Sequence, residues 1–239
     1  MSRLLKLVLP VFLVFSLASC AKVNVEALKQ TEKVALVSVF GEESVNVKGA
    51  TDGNIAGLIS KAAQSDEASM DKRINHVKNV ILKKTPSILG FKVIPERYVI
   101  NKKSYKAIDD KDANRFGTFV KADGYKQIMG NETEKVLQAL KGVKSADAAM
   151  IVTYSARLEK SGGIVGAENG YMWGDMSFYM YNRKGELILQ KTVSNGSDTV
   201  TKIHMGGFSA ANFDKMIAET IEKDLKDIKA FMKESMAKK

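Results

Sequence analysis

The feature that most constrains the fold is a succession of three alternating segments in the second half of the chain. Residues 148–159 (AAMIVTYSARLE) carry apolar side chains at every second position, which is the period of a β-strand with one buried face. Residues 171–182 and 186–193 follow, after a glycine-rich stretch at 161–170 and a turn at 182–185. Because short connections join neighbouring antiparallel strands, these segments predict a three-stranded antiparallel meander.

The two faces of the middle segment, residues 171–182, differ in composition. Its methionine and phenylalanine side chains share one face, which we expect to belong to the core. The opposite face is aromatic, and such rings combine a large contact area with a polar group. Two interpretations of this face stay open, a second layer that covers it and a recognition surface. The candidate partner contacts, including two apolar residues of the glycine-rich stretch, are Ile164, Val165, Tyr171, Trp173, Tyr179 and Tyr181.

Two further strands are predicted in the first half of the chain, and one break is predicted at the end of the meander. Residues 33–40 (KVALVSVF) are apolar on both faces, as in a central buried strand. Residues 91–100 (FKVIPERYVI) predict a second strand, which Pro95 places at a sheet edge. Residues 194–197 (SNGS) are expected to end the third strand of the meander.

A long helical pattern occupies residues 55–84, with apolar residues at spacings of three and four. Its centre at 64–69 is polar, so it predicts either two helices or one with a weak centre. We expect Pro86 to end it, because the residue before a proline is kept out of the α region. Residues 101–130 are polar and rich in turns, with short helices expected around 110–116 and 121–129.

Two more helices are expected in the second half. Asn131, with Glu134 three residues later, resembles a capping box and predicts a helix that ends at Gly142. Asn212 is expected to cap a final helix over residues 213–237, whose apolar stripe we expect to pack on the domain's own sheet. A membrane surface or a partner helix is the alternative for this stripe.

Together these elements predict an α/β (α+β) fold with a single mixed sheet. The sheet contains the antiparallel meander and is packed by a long helix from the N-terminal half and by the C-terminal amphipathic helix. Only three prolines occur and no low-complexity linker divides the chain, so we expect one domain over residues 33–237.

The first twenty residues have the layout of an export signal. Arg3 and Lys6 precede an apolar run at 7–15, which is short for a bilayer span of about 20 residues. The run closes on Leu17, Ala18, Ser19 and Cys20, which resemble the lipobox of bacterial lipoprotein precursors. A conventional signal peptide with soluble release is the alternative.

The lipobox resemblance implies a signal peptide over residues 1–19 and a lipidated, palmitate-bearing Cys20 on a tether over 20–32. Because Cys20 is the single cysteine, lipidation would leave the fold without a disulfide. Ala21 follows the cysteine, and in enterobacterial lipoproteins a residue other than aspartate implies the outer membrane, facing the periplasm. That rule depends on the species, so the inner membrane stays open.

Charge restricts the partners only weakly. The 37 basic residues include Arg3 and Lys6, so the chain from Cys20 holds 35 basic and 27 acidic side chains, a net charge of +8. We expect the membrane, through lipidated Cys20, and an envelope protein as partners, with an anionic cell-wall polymer as a further candidate. Nucleic acid is disfavoured by the expected compartment.

No residue pattern indicates catalysis, a metal or a cofactor. The two histidines, His76 and His204, lie in no recognisable motif, and carboxylates do not cluster at ligand spacing. The glycines of 161–170 match neither a phosphate loop nor a dinucleotide fingerprint. We therefore expect a protein without catalytic residues, bound metal or cofactor.

The order of elements, with KVALVSVF, FKVIPERYV and ADAAMIVTYSARL, is similar to a group of bacterial envelope domains. The group includes the curli-secretion lipoprotein, the lipoprotein activator of a penicillin-binding protein and the N-terminal domain of the Tol-system propeller protein. This resemblance implies a non-enzymatic interaction or assembly module in the cell envelope. The alternatives are an oligomeric secretion or pore component like the curli-secretion lipoprotein, and an unrecognised cell-envelope hydrolase.

Overall fold

The computed structural model describes residues 21–43, 45–48, 69–110, 119–164, 167–204 and 210–238. The predicted signal peptide over 1–19, the lipobox with Cys20, and the candidate contact Val165 lie outside these residues. Side chains are not described at 46–48, 160–164, 167–168, 203–204 and 210. No helix in the described part of the chain is both long enough and apolar enough to span a bilayer.

One mixed sheet of eight strands forms the centre of the described fold. Its main path follows the order β1-β8-β7-β6-β2-β4, with β3 paired to β6 and β5 paired to β2. The meander β6-β7-β8 is antiparallel, whereas β2 is parallel to both β6 and β4. The strands are β1 (Lys22–Val23), β2 (Lys33–Glu42), β3 (Asn46–Lys48), β4 (Lys92–Val93), β5 (Phe119–Lys121), β6 (Ala148–Ile164), β7 (Ala167–Asn182) and β8 (Leu187–His204).

Helices pack on both faces of this sheet, which confirms the predicted fold class. The two long helices, α2 and α6, lie on one face together with the short α1, and α3, α4 and α5 lie on the other face. The helices are α1 (Val25–Lys29), α2 (Met70–Leu89), α3 (Arg97–Ile100), α4 (Lys103–Lys106), α5 (Thr133–Lys141) and α6 (Ala210–Ala237).

The larger core lies between the meander and helices α2 and α6. The even-numbered side chains of β7 from Met172 to Met180 are buried here, as the strand alternation predicts. The apolar stripe of α6 meets them, so the final helix packs on its own sheet. The buried stripe residues are Phe213, Met216, Ile217, Ile221, Leu225, Ile228 and Met232.

A second core lies on the opposite face and explains why β2 is apolar on both sides. Ala35 and Val37 of β2 point into it, together with Ala149 and Ile151 of β6. Tyr105 closes the core from α4, and its hydroxyl donates to the carbonyl of Val37 at 2.7 Å. The prediction of a central buried strand at 33–40 is confirmed.

Helix α2 continues past Pro86, where the sequence predicts its end. A proline in the last turn costs one main-chain hydrogen bond, and burial of the Leu89 side chain stabilises that turn in place. The helix ends at Gly90, whose φ of 89° reverses the chain. Residues 55–68 of the predicted helix lie outside the described part.

The segment 91–100 is a strand only at Lys92–Val93, and its second half forms α3. Pro95 has no N–H for a strand ladder, and the chain turns there into a helical conformation. The edge position is confirmed, because β4 ends the sheet beside β2. The short helix expected around 121–129 is absent from the described residues, where β5 and a loop replace it, and most of 110–116 is not described.

The capping box predicted at Asn131 and Glu134 does not form. Helix α5 begins at Thr133, and the Glu132 side chain instead accepts the backbone N–H of Met129 at 2.7 Å. Gly142 ends the helix as predicted.

The meander strands are longer than the sequence predicts. Much of the glycine-rich stretch 161–170 belongs to β6 and β7, with Gly163 paired to Glu168. The segment 194–197 does not end β8 but lies in its middle, next to a register shift that the ladder absorbs as a bulge. Glycines therefore mark irregular strand here rather than loop.

Two chain ends of the domain also differ from expectation. Helix α6 already begins at Ala210, so Asn212 lies within it rather than capping it. Part of the predicted tether at 20–32 belongs to the fold, because Lys22 pairs with Gln190 of β8. Val25 and Leu28 of α1 are buried.

Helix α6 also protects the free edge of β8. Strand β1 covers this edge only at Leu189 and Gln190. Further along, Glu219 accepts the N–H groups of Asp198 and Thr199 at 3.0 and 2.8 Å. Lys223 donates to the carbonyl of Gly196 at 2.7 Å. These contacts occupy peptide groups that could otherwise pair with another chain.

A buried carboxyl lies beneath α6. The Oδ1 atom of Asp224 accepts a hydrogen bond from the Asn195 amide at 2.9 Å, whereas Oδ2 has no partner among the described atoms. Burial raises the pKa of Asp224 to about 8, with the Asn195 hydrogen bond opposing this and the charges of Asp227 and Asp175 adding to it.

We predict that this carboxyl makes stability fall as the pH rises. The folded chain keeps a proton on Asp224 that the unfolded chain loses near pH 4, so the free energy of unfolding should decline between about pH 4 and pH 8. The neutral variant Asp224→Asn should lose this decline and be more stable at pH 8 by about 1–3 kcal/mol. Urea unfolding at several pH values measures both effects.

The matched control is Asp227→Asn, which removes an exposed carboxylate bonded to the same asparagine at 2.8 Å. It should keep most of the decline, with its upper end at a somewhat lower pH, because one of the two charges that raise the pKa of Asp224 is removed while its burial is unchanged. Parallel pH profiles for the original chain and Asp224→Asn would contradict the prediction.

Candidate functional site

The aromatic face of β7 has one half that the second core covers and one half that no helix in the described part of the chain covers; we call the second the uncovered half. Tyr181 is buried in the second core, and its hydroxyl donates to the carbonyl of Gly130. Tyr179 contacts the same segment so closely that a Cβ atom at Gly130 would lie 2.6 Å from its ring. These two tyrosines are therefore packing residues of a second layer.

The other half of the face, around Tyr171 and Trp173, is only partly buried. The second core reaches no farther along the meander than Ile151 of β6 and Tyr179 of β7. Ile164, the other predicted contact of the glycine-rich stretch, ends β6, and its side chain lies outside the described part of the structure.

Arg157 is the centre of this uncovered half. It lies directly across from Trp173 in the β6–β7 ladder, and its guanidinium carbon is 5.1 Å from the centre of the Trp173 ring. Its Nη1 donates to Asp175, and its Nε donates to Glu159 at 3.2 Å. Its Nη2 reaches Ser194 of β8 at 3.4 Å. One arginine thus links all three strands of the meander.

The carboxylates hold Arg157 in its charged form. Burial lowers the pKa of Arg157, but the hydrogen bonds and charges of Asp175 and Glu159 outweigh burial and raise it above the usual value. With two carboxylates and one guanidinium, the cluster has a net charge of −1 on a protein that is basic overall. Charge attraction for an anion is therefore weak here.

The aromatic side chains are fixed in place from both sides. The Trp173 ring lies against Gly196 of β8, and its Nε1–H has no hydrogen-bond partner among the described atoms. Tyr171 donates its hydroxyl proton to Glu159 at 2.9 Å, and its ring centre is 6.3 Å from that of Trp173. Rings held in this way lose little conformational entropy when a partner binds.

We call this uncovered cluster the hairpin face; it consists of Arg157, Glu159, Tyr171, Trp173, Asp175 and Ser194. The sequence pattern named Tyr171 and Trp173 as candidate contacts and put Asp175 on the same face of the strand, but it did not select the charged residues as part of a site. Strand alternation tells which face of its own strand Arg157 or Asp175 occupies, but not which residue of the neighbouring strand lies beside it. Their meeting depends on the register of the hairpin, which the glycine-rich stretch left undetermined.

A second polar cluster lies on the opposite face of the sheet and is sealed by α6. The hydroxyls of Tyr154 and Thr220 are 2.7 Å apart, and burial raises the pKa of Tyr154. Asp224 and Asn195 complete this cluster, in which Tyr154, Thr220 and Asp224 are almost completely inaccessible to solvent. It is a packing feature rather than a surface for a substrate.

The described side chains contain no group of three or more His, Cys, Asp and Glu residues arranged to hold a metal ion. The Nε2 atom of His76 lies 3.1 Å from the carbonyl of Asp214. The side chain of His204 is not described.

No protein-family model matches this chain, and no curated protein matches it. Among solved structures, it is similar to the lipoprotein GNA1162 from Neisseria meningitidis, with a TM-score of 0.33 and 12% identity over 70% of this chain and 85% of that one. It is also similar to the hypothetical protein CT253 from Chlamydia trachomatis, with a TM-score of 0.37 and 8% identity over 87% and 99%. Similarity at this level carries no argument about function.

The hairpin face should tolerate substitution better than the core behind it. Because Trp173 is only partly buried, Trp173→Ala should lower the free energy of unfolding by about 1–2 kcal/mol. Phe178 is fully buried on the opposite face of β7, five residues away. Phe178→Ala should therefore lower the free energy of unfolding by about 3–5 kcal/mol. Urea unfolding of both variants measures the difference, and an equal loss would show that the hairpin face is structural.

Proposed function

We propose that this protein is a lipid-anchored, non-enzymatic interaction module of the bacterial cell envelope, and that it binds a protein partner through the hairpin face. The observation that carries the proposal is the network of Arg157, Tyr171 and Trp173, which hydrogen bonds and ring contacts hold on a partly buried part of the sheet that no described helix covers. The anchor is proposed from the lipobox residues that end at Cys20.

The composition of the hairpin face suits a protein partner. Tryptophan, tyrosine and arginine are the residues most enriched among those that dominate binding energy at interfaces. Asp175 and Glu159 are both paired with Arg157, so a partner would not have to compensate an isolated guanidinium, and the network keeps a net charge of −1. The strands position these groups without a mobile loop, which favours recognition of a defined surface.

The structure is also compatible with an anchor very close to the domain. Only Ala21 separates Cys20 from Lys22, which is already paired to β8. Two trans peptide units span at most about 8 Å between Cα atoms, so a lipid on Cys20 would hold the domain against the bilayer. We place this bilayer at the outer membrane, facing the periplasm, because Ala21 follows the cysteine.

The anchor is tested with Cys20→Ala. The original protein should fractionate with membranes and be released only by detergent, because two or more acyl chains are required for stable anchoring. The variant should lose the acyl chains, and a shift in mass or the loss of labelling with radioactive palmitate reports this directly. Labelling that persists in the variant would refute the anchor.

The partner surface is tested by photocrosslinking in the native cells. A photoreactive phenylalanine derivative replaces Tyr171 or Val200, its half-exposed neighbour across the β7–β8 ladder. The control position is Tyr98, which is 48% exposed and lies in α3, away from the meander. We expect the variants with the photoreactive residue at position 171 or 200 to form one defined protein adduct. The variant with this residue at position 98 should not form that adduct.

Trp173→Ala in the same background should remove most of that adduct, since truncation of a dominant interface residue costs at least about 2 kcal/mol, or roughly thirtyfold in affinity. Adducts formed only between copies of this chain would favour the oligomeric secretion component instead. If neither position gives an adduct that Tyr98 lacks, the proposed interaction surface is wrong.

A further inference from the structure

We propose that the end of the domain opposite the hairpin face is a basic surface that binds the phosphate groups of anionic membrane lipids. This inference rests on the proposed lipid anchor for its biological setting, but its chemistry comes from a separate set of residues. It assigns an orientation to the anchored domain, with the hairpin face directed away from the bilayer.

The centre of this surface is a groove between α3 and the end of α5. It has a volume of about 450 Å³ and is lined by Tyr98, Lys102, Lys141, Gly142, Val143, Lys144 and Ser145. Three of these seven residues are lysines, and none is acidic. The groove is therefore complementary to a negatively charged group that is small enough to enter it.

The lysine charges of this groove are not used within the described fold. Lys102, Lys141 and Lys144 take part in none of the salt bridges found among the described residues. Other lysines, such as Lys84 and Lys121, lie within salt-bridge distance of a carboxylate and so have less charge to offer a ligand. The positive potential of the groove is thus available to a ligand.

Two neighbouring grooves extend the basic surface toward α1. The first shares Lys141 with the central groove and adds Arg183, whose guanidinium donates to the carbonyls of Val143 and Ala146. The second shares Arg183, adds Lys184, and is lined on its far side by residues of and just after α1. These shared residues make one continuous band.

The carboxylate of Asp147, in the groove beside α1, is already engaged. Its Oδ2 accepts the backbone N–H groups of Glu32 and Lys33 at 3.0 and 2.8 Å. It therefore fixes the start of β2 and opposes the basic band less than a free carboxylate would. The band keeps a net positive charge from Lys102, Lys141, Lys144, Arg183 and Lys184.

The position of the anchor selects a lipid surface as the occupant. Ala27 of the second neighbouring groove is only seven residues after Cys20, so an extended chain could separate them by no more than about 25 Å. Lipids attached to Cys20 would therefore bring this band close to the headgroups. Tyr98, which is 48% exposed and stacks with the Arg97 guanidinium, suits the polar boundary of a bilayer.

The hairpin face lies at the far end of the same strands. Trp173 is nine residues from Asn182, where β7 ends beside the basic band, which corresponds to about 30 Å of strand. When the band contacts the headgroups, the hairpin face is held about this far out. That arrangement leaves it accessible to a partner.

The test uses the chain from Ala21, which lacks any lipid and contains every described helix and strand. Its binding is measured by cosedimentation with vesicles of phosphatidylcholine alone and with vesicles of equal parts phosphatidylcholine and phosphatidylglycerol. We expect binding to the anionic vesicles only, weakened by salt. Replacing Lys102, Lys141 and Lys144 by glutamine should lower the partition coefficient on the order of 100-fold, because each lysine near an anionic surface contributes about fivefold.

The control replaces Lys72, Lys202 and Lys215 by glutamine, which removes the same formal charge at exposed positions near the hairpin end, although Lys215 lies 3.9 Å from Glu219. It should lower the partition coefficient less than fivefold. Equal losses for the two triple variants, or binding of the original chain to neither vesicle, would overturn the proposal. Binding to soluble polyglutamate but not to vesicles would also overturn it, in favour of an acidic polymer.

This test is independent of the lipid anchor. If Cys20→Ala still carries lipid label while the lysine variants lose vesicle binding, only the anchor assignment fails. If anchoring is confirmed and vesicle binding is absent, only the orientation fails.

Discussion

The packing of α6 against the meander is the interaction on which the rest of this structure depends. It buries the methionine-rich face of β7 and the apolar stripe of the helix in one core. The same helix supplies Glu219 and Lys223, whose hydrogen bonds occupy the free edge of β8 where the strand bulges. One helix therefore completes the core and protects the sheet edge, although it places Asp224 where its charge is poorly solvated.

The unequal cover of the two sheet faces follows from the lengths of the helices. Helix α6 has 28 residues and can follow the long strands. Helix α5 has nine and covers only the end of the strands near Ala149 and Tyr181. The strands continue beyond that cover, and in the described part of the chain no helix packs on the hairpin face, whose partly buried side chains are polar and aromatic. Arg157 makes such a face stable by joining all three strands through hydrogen bonds.

Strand alternation and helical periodicity predicted the meander, the central strand and the packing of α6, because each pattern directly reflects one buried face. Local signals failed where tertiary contacts outweighed them. Pro86 does not end α2 because the buried Leu89 stabilises its last turn. The SNGS segment stays in β8 because its pairing with β7 continues there and Lys223 of α6 binds the carbonyl of Gly196. The aromatic residues of the hairpin face were predictable from strand alternation, but their contacts with Arg157 were not. Those contacts depend on the register of β6 against β7, which exists only in the folded hairpin.

A short connection to the proposed lipid anchor would limit what the domain's surfaces can do. A long flexible tether would let every surface sample the bilayer and the periplasm, whereas a link of one residue after a lipidated Cys20 would restrict the domain to a few orientations. Among these, the proposed orientation would gain electrostatic free energy, because it brings lysines without a salt bridge among the described residues near anionic headgroups. The same orientation would extend the hairpin face away from the lipid along the strand direction. In this proposal, uneven charge and uneven helical cover act together, so that one sheet would present one end to a membrane and the other to a protein.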